Sequence, residues 1–552
     1  MAAQPRVHSS DEPHDSWLPM IVIAMGQMLM SFNVAAIPVS MGGMVESFDT
    51  PPTTVGTAIV LYSLGVSGFI LLGAKLGQRF GAKLFFQVAV GLFALAMVTM
   101  VVSPSATVML TAQALAGLAA AALVPTLVVL IANHYRGKQQ AKAVGWLGSA
   151  RAIAGVLAFV IVGYVAAINW RLAFGLLIVH ACAILALSFK LKPSQGKAEV
   201  QIDAVGVALA ALGIIGITFG FNNLRNWGLL LARPAAPFDL LGVSPAPILI
   251  LVGLVLMMGF FLWTHRRAAD GQTPLLALEV VDSPREWAAV LTLFIIVSME
   301  AAINFSVPLY IQIVQGRSSM ATSVAMMPFM LTVFFTAILI VRLYDRFTPR
   351  TIARWAFVLV TVGTAWLAFV ASNDWSVAPV IVGLVTVGLG QGALVTLLFN
   401  VLVTAAPKDL AGDVGSLRGV TQNLAAAVGT ALMGTLLVGL LSSLILRDLV
   451  DNPLIPAEFK QTELRAEFNL DNINFIRNDQ LQDRLAATSA TADQVEEAVR
   501  INTQSRLRAL KIGFLVLSGL ALFAILPCGW LPDYKPGEVP AESAAGRKKS
   551  RG

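Results

Sequence analysis

The chain predicts an all-α polytopic membrane protein of fourteen spanning helices, on three observations. Hydrophobic residues fill 57% of its 552 positions and charged residues only 12%, where a soluble domain carries about 25% charged residues. Fourteen apolar runs have the length that crosses a bilayer, about 20 residues as a helix. They lie near residues 17–43, 53–73, 84–103, 107–134, 143–167, 171–189, 204–222, 243–264, 287–312, 322–341, 352–372, 376–405, 415–446 and 509–531. Lys and Arg alternate in density from one connection to the next. With both termini in the cytoplasm, 24 of the 38 fall in or beside the inner tails and loops, and four in the short outer loops. That asymmetry is the positive-inside bias, and it orients the chain.

In order along the chain, residues 1–16 form a polar cytoplasmic tail without the apolar core of a signal peptide. Spans 1 to 6 make a first bundle over 17–190, and residues 191–275 hold linkers and spans 7 and 8, with KLKPSQGKAEV (190–200) before span 7 and HRRAADGQTP (265–274) after span 8. Spans 9 to 13 occupy 276–446. The turns GAKLGQRFGAK (73–83) and VRLYDRFTPR (341–350) are both short, basic and cytoplasmic. They predict two repeated six-helix bundles with spans 7 and 8 inserted, and such repeats place transporter sites at their interface near the midplane. Residues 447–508 carry 11 acids and 8 bases. Their helical spacing predicts an amphipathic hairpin outside the membrane, either a solvated cap or a gate or partner surface. Span 14 (509–531) and the basic tail 532–552, ending GRKKSRG, complete the chain. The tail suits anionic membrane lipid.

Several function classes are excluded. The net charge of +7 follows from topology and gives no support to nucleic-acid binding. Cys182 and Cys528 lie in apolar runs with no ligand spacing, so neither a disulfide framework nor a metal site is expected. No G-x-x-x-x-G-K-[ST], H-E-x-x-H or G-x-S-x-G sequence occurs, so an enzyme is not expected and no cofactor is implied. GLGQG (388–392) lies within a spanning run and reads as helix packing.

Glu300 breaks the apolar run of span 9, and an ionisable group there marks an ion or substrate pathway by default. A carboxyl in apolar surroundings favours its neutral form. Glu300 either exchanges a proton, pairs with a cationic substrate, or sits protonated and hydrogen-bonded inside the bundle. Asn304 follows one turn later on the same face. Arg151 in span 5 is a relay candidate or a snorkelling cation, and His180 in span 6 a relay member or a satisfied core histidine.

The chain resembles the 14-helix drug:proton antiporter branch of the major facilitator superfamily. GAKLGQRFGAK is similar to the superfamily's turn between helices 2 and 3, through Leu76, Arg79, Gly81 and Lys83. NWRLAF (169–174) resembles the opening of helix 6 in this branch. LYIQIVQGRSSMATSVAMMP (309–328) resembles another of its motifs, through Tyr310, Gln312, Gly316, Ser318 and Pro328. GLVTVGLGQG and AGDVGSLRGVTQNLAAAVGTA are similar to its helix 12 and 13 signatures. The departures cluster in the first half. Gln78 stands where the family has the turn's acid, Leu29 at the place of the helix 1 acid, and Gln113 at that of the helix 4 arginine. Only Gly155-Val156, with Phe159 and Val160 following, remains of the glycine-rich helix 5 signature.

The resemblance implies the major facilitator fold, with a central cavity lined by helices 1, 4, 9 and 12. On that map Glu300 and Asn304 carry proton coupling. Gln27, Ser31, Gln113, Gln391, Thr396, Asn400 and Phe305 line the substrate cavity, beside Thr404, Phe294, Phe399 and the Met-rich helix 1, each of which also serves as packing or interhelical glue. Arg79, Lys83, Asp345, Arg346 and Arg350 lock the cytoplasmic face as gating residues. The expected function is proton-coupled export of small amphipathic compounds, cationic ones among them, from a plasma or inner membrane. The partners are a small-molecule substrate, protons and lipid, and the protein acts as a monomer. The alternatives are an uncoupled facilitator, an exporter of one metabolite, and, in another class, a membrane scaffold or sensor.

Overall fold

A computed structural model describes residues 16–533. It leaves out 136, 194–195, 197–200, 229, 234–235, 273, 277–279, 281–282, 344–345, 375, 406–410, 452–477 and 487–490. Fourteen helices, α1 to α14, correspond to the fourteen spans. The first six are α1 (Leu18–Val39), α2 (Pro52–Phe80), α3 (Ala82–Val101), α4 (Ala106–His134), α5 (Gly137–Ile168) and α6 (Trp170–Ser188). The inserted pair is α7 (Ala204–Trp227) and α8 (Pro245–Ala269). The last six are α9 (Pro284–Pro308), α10 (Ser319–Leu339), α11 (Pro349–Val370), α12 (Val377–Ala405), α13 (Ala411–Asp451) and α14 (Ala492–Phe523). Among the described residues, 13 helices are long and apolar enough to cross a membrane, and α5 contributes the shorter apolar stretch Ile153–Ile168.

Local chemistry starts these helices where the sequence offers a cap. Ser105, Asn169, Asp203, Ser244, Ser283 and Ser318 each accept a backbone N–H of the turn they precede, satisfying donors that no helix can pair internally. Ser283 and Glu286 form a reciprocal capping box at the head of α9. Where the apolar runs exceed one helix, the breaks are equally local. Span 1 ends at Ser40, two residues past Pro38, and an eight-residue helix, Met41–Phe48, follows. Span 9 passes at Pro308 into a π-helical turn, Leu309–Val314.

Helix pairing repeats between the halves. In the first, α1 packs on α5, α2 and α3 on α4, and α3 on α6. In the second, α9 packs on α13, α10 and α11 on α12, and α11 on α14. The halves meet through α2 against α13 and α5 against α10, while α7 and α8 pack on each other and α7 lies over the α2–α13 seam. With lipid as apolar as leucine, close backbone approach at small residues drives such contacts. A Cβ on Gly429 of α13 would overlap the Ser298 carbonyl oxygen of α9, and one on Gly117 of α4 would overlap the Tyr62 carbonyl oxygen of α2. The glycines of GLGQG do the same on α12, with Gly388 and Gly392 against α10 and Gly390 against α11.

The segment 447–508 is described in part. α13 runs on to Asp451, and the second arm, ADQVEEAVRINTQSRLRALK, is continuous with span 14 as one 32-residue helix, α14. Thr491 and Gln494 form the capping box that starts it, so the helix begins at Ala492 rather than at 509. A short helix, Asn478–Ala486, lies beside it. The other expected arm, EFKQTELRAEF, lies outside the described residues.

Candidate functional site

A cavity of about 250 Å³ opens between the two halves. Helix α1 contributes Gln27, Met30, Ser31, Val34, Ala35 and Pro38, and α9 contributes Val297, Glu300, Ala301 and Asn304. Each set recurs every three to four residues, the stripe one face of a helix presents. Helix α2 adds Ile59, Tyr62, Ser63 and Val66, and α13 adds Gln422, Asn423, Ala426 and Thr430. Phe159 of α5, Met330 of α10 and Val124 of α4 complete the apolar wall. Glu300 is the one charged residue lining it among the described residues, in a ring of amides and hydroxyls. Gln27 Nε2 donates to Ser31 Oγ at 3.1 Å, and Asn423 Nδ2 to the Gly419 carbonyl at 2.9 Å. Asn304 Oδ1 is buried and has no hydrogen-bond partner among the described residues.

Of the expected site residues, the structure therefore brings Glu300, Asn304, Gln27 and Ser31 together. The others go elsewhere. Gln113 is fully buried and exchanges two hydrogen bonds with Asn33, donating at 3.3 Å and accepting at 3.0 Å. It ties α4 to α1 and does not reach the cavity. Gln391, Thr396 and Asn400 on α12 are absent from the lining, because the rotation of α12 turns its small face to α10 and α11. Phe305 is buried as a wedge: its ring lies against the sites of Gly56 on α2 and Gly434 on α13. Phe399 is covered by the Arg418 guanidinium, 4.1 Å from the ring centre. Against the expected helices 1, 4, 9 and 12, this cavity is lined by α1, α2, α9 and α13, with single residues from α4 and α10 and a short patch of α5. Gln422 and Asn423 were visible in the quoted helix 13 segment as adjacent amides in a span, and that was the signal to use.

The expected gating residues hold their own bundles at the end where α1 starts. Lys83 Nζ donates to the Phe189 and Leu191 carbonyls, at 2.9 and 2.7 Å, and so caps the end of α6. Arg350 donates to the Leu531 carbonyl and pairs with Asp533 at 3.2 Å, beyond α14. Both satisfy carbonyls that helix ends leave open, and neither contact joins the two halves. Arg79 and Arg346 are exposed, Asp345 lies outside the described residues, and for Arg151 and Thr404 only the backbone is described. His180 Nε2 lies 3.0 Å from the Met25 carbonyl, a satisfied core histidine.

At the opposite end the halves are fastened. Gln312, 4% exposed in the π-helical turn, accepts the Gly42 N–H at 2.6 Å and donates to the Pro38 carbonyl at 3.0 Å. Pro38 also lines the cavity, so this fastening is its floor. Tyr310 donates to the Ser372 carbonyl at 2.8 Å, and Gln315 to the same oxygen at 2.7 Å. Trp170 donates to Ser47 at 2.9 Å, with Arg171 stacked 4.4 Å above its ring.

Two similarly packed six-helix halves around a shared cavity, fastened at one mouth, are the architecture of a secondary transporter. The chain belongs to the Major Facilitator Superfamily, which it matches over residues 23–430, a family of transporters and not of enzymes. It is 25% identical over 428 residues to the "Probable actinorhodin transporter" of Streptomyces coelicolor, covering 75% of this chain and 70% of that one. It is 23% identical over 427 residues to the "Multidrug efflux pump LfrA" of Mycolicibacterium smegmatis, covering 77% and 81%. It is 23% identical over 464 residues to the "Multidrug resistance protein Stp" of Mycobacterium tuberculosis, covering 83% and 82%. Among solved structures, the inward-facing, unoccupied bacterial homologue of the human lysosomal transporter Spinster superposes with a TM-score of 0.60 at 13% identity, covering 94% and 98%. A POT family transporter in complex with a thioalcohol-conjugated peptide gives 0.59 at 12%, covering 92% and 94%. The fold is thus that of the superfamily, and the protein is a multi-pass membrane transporter.

Proposed function

We propose that this protein exports small amphipathic compounds, monovalent cations among them, in exchange for protons, with Glu300 as the shared proton and cation site. It acts as a monomer in a plasma or inner membrane with both termini in the cytoplasm. The carrying observation is the position of Glu300 on the cavity wall, where it is the one charged residue among the described residues. It lines a cavity whose other described residues are amides, hydroxyls and apolar side chains, and an intramembrane carboxylate is costly unless function retains it. Apolar walls with few polar groups suit a permissive small-molecule site, and Met30 and Met330 supply adaptable surface. Two of the relatives, a multidrug efflux pump and a multidrug resistance protein, support the same reading.

The test uses purified protein in liposomes with an imposed pH gradient, following a fluorescent cationic dye and lumenal pH. Wild type should move dye against protons, and Glu300→Gln should lose at least 100-fold of the gradient-driven flux, a loss of ~2.7 kcal/mol in coupling. Equal, gradient-indifferent flux in both proteins would leave the uncoupled facilitator. An absence of flux in wild type would turn the search to a single metabolite, or to a scaffold acting through 447–508.

A further inference from the structure

We propose that Arg506 is a positioning residue for the gate: it acts through the π-helical turn Leu309–Val314 to hold Gln312 in the latch that closes the cavity floor. The observations form a continuous chain of contacts. Arg506 is 1% exposed on the N-terminal half of α14. Its Nη1 donates to the Ile313 carbonyl at 3.4 Å, and its Nη2 donates to Asn478 Oδ1. Asn478 heads the short helix beside α14 and is fixed by Asn502 at 3.2 Å and by Thr503 at 2.8 Å. Ile313 is the neighbour of Gln312, whose side chain crosses to Gly42 and Pro38 of the other half.

The geometry makes Arg506 more than packing. A π-helical turn that terminates a span leaves carbonyls without a following turn to bond them. Gln315 and Arg317 N–H groups close the Tyr310 and Ile311 carbonyls. The Ile313 carbonyl is taken by the guanidinium. Gln312 reaches across the interface only if this turn keeps its orientation, and Arg506 pins it from α14, within its own half. Rocking of the halves must break both Gln312 hydrogen bonds, so whatever orients Gln312 sets the ratio of closed to open floor. Among the described residues, the part of 447–508 that heads α14 thereby reaches the gate through Arg506 and the Ile313 carbonyl. The inference rests on alternating access alone, and proton coupling and substrate do not enter its test.

Spin labels at Glu46→Cys and Asn373→Cys, in a full-length background with Cys182 and Cys528 replaced by serine, report the width of the mouth at the Gln312 end. Gln312→Leu should raise the open-mouth population roughly fivefold, the worth of about one net hydrogen bond. Arg506→Met should raise it by a similar factor. The double variant should exceed neither single variant by more than about twofold, because both act through one latch. An unchanged mouth in Arg506→Met beside an opened one in Gln312→Leu overturns the proposal, as does an unchanged mouth in both or a fully additive double variant. If Arg506→Met does not fold, Asn478→Ala, which removes one of the hydrogen bonds that orient the guanidinium, is judged by the same outcomes. A dye assay that shows no proton coupling leaves this result standing.

Discussion

Asn33 and Gln113 meet between α1 and α4 as a closed pair of amides, each donor facing the other's acceptor. Both are fully buried, so removing one strands the other, at a cost of about 1–3 kcal/mol. Gln113→Leu should lower the midpoint of thermal unfolding in detergent, and Asn33→Leu with Gln113→Leu should recover most of the loss. The pair also shows how far single residues are legible. Gln27, Ser31, Glu300 and Asn304 were readable because polar groups one turn apart on an apolar helix must share a face, and the cavity is where that face points. Gln113, Gln391, Thr396 and Asn400 are equally polar. What the sequence does not carry is the rotation of a helix about its own axis, which packing against neighbours decides.

Helix α13 is where an element-level reading succeeds and then falls short. Its glycines promise close approach, and Gly429 delivers it against Ser298 of α9. Gly429→Val places two methyls where backbone already sits. It should destabilise the protein by about 1–3 kcal/mol, read as a lowered unfolding midpoint with aggregation on extraction. The same α9–α13 contact brings Gln422, Asn423 and Thr430 to the cavity beside Glu300; adjacent amides in a span mark the first two as candidates, and long-range packing decides that they face the cavity. Boundaries followed local chemistry instead. Pro38 with Ser40 ends α1, and Thr491 starts α14 well before the apolar run does. An amphipathic arm and an apolar span share one helical period, so nothing in their residues separates them into two elements.

At the scale of the whole molecule, the repeated pairing of helices sets the direction in which the cavity can open. The end where α1 starts shows contacts within each half, while the other end carries the Gln312 fastening. Sidedness is directly testable. In intact cells, Asn373→Cys should react with an impermeant maleimide, and Asp270→Cys only after permeabilisation, again with both native cysteines replaced. The reverse labelling would invert the proposed orientation and make the fastened mouth the cytoplasmic one. The architecture was legible early because span count, basic turns and helix breaks are all local quantities. The packing of α7 over the α2–α13 seam was not, since only the place of the inserted pair in the chain was visible.

If export is coupled through Glu300 as proposed, its place as the one carboxyl lining the cavity among the described residues has an electrical consequence. One acid exchanges one proton per cycle, so expelling a monovalent cation against that proton moves no net charge. Such a cycle ignores membrane voltage and follows the pH difference alone. A neutral compound carried by the same machinery moves one positive charge inward per turnover. It therefore draws on the potential, ~2.3 kcal/mol for each 100 mV, or roughly a 50-fold steeper gradient of the neutral compound. Potassium diffusion potentials imposed on liposomes should leave export of a monovalent dye unchanged and accelerate export of an uncharged analogue. In a cell that loses its pH gradient but keeps its voltage, neutral compounds would still leave while cations would accumulate.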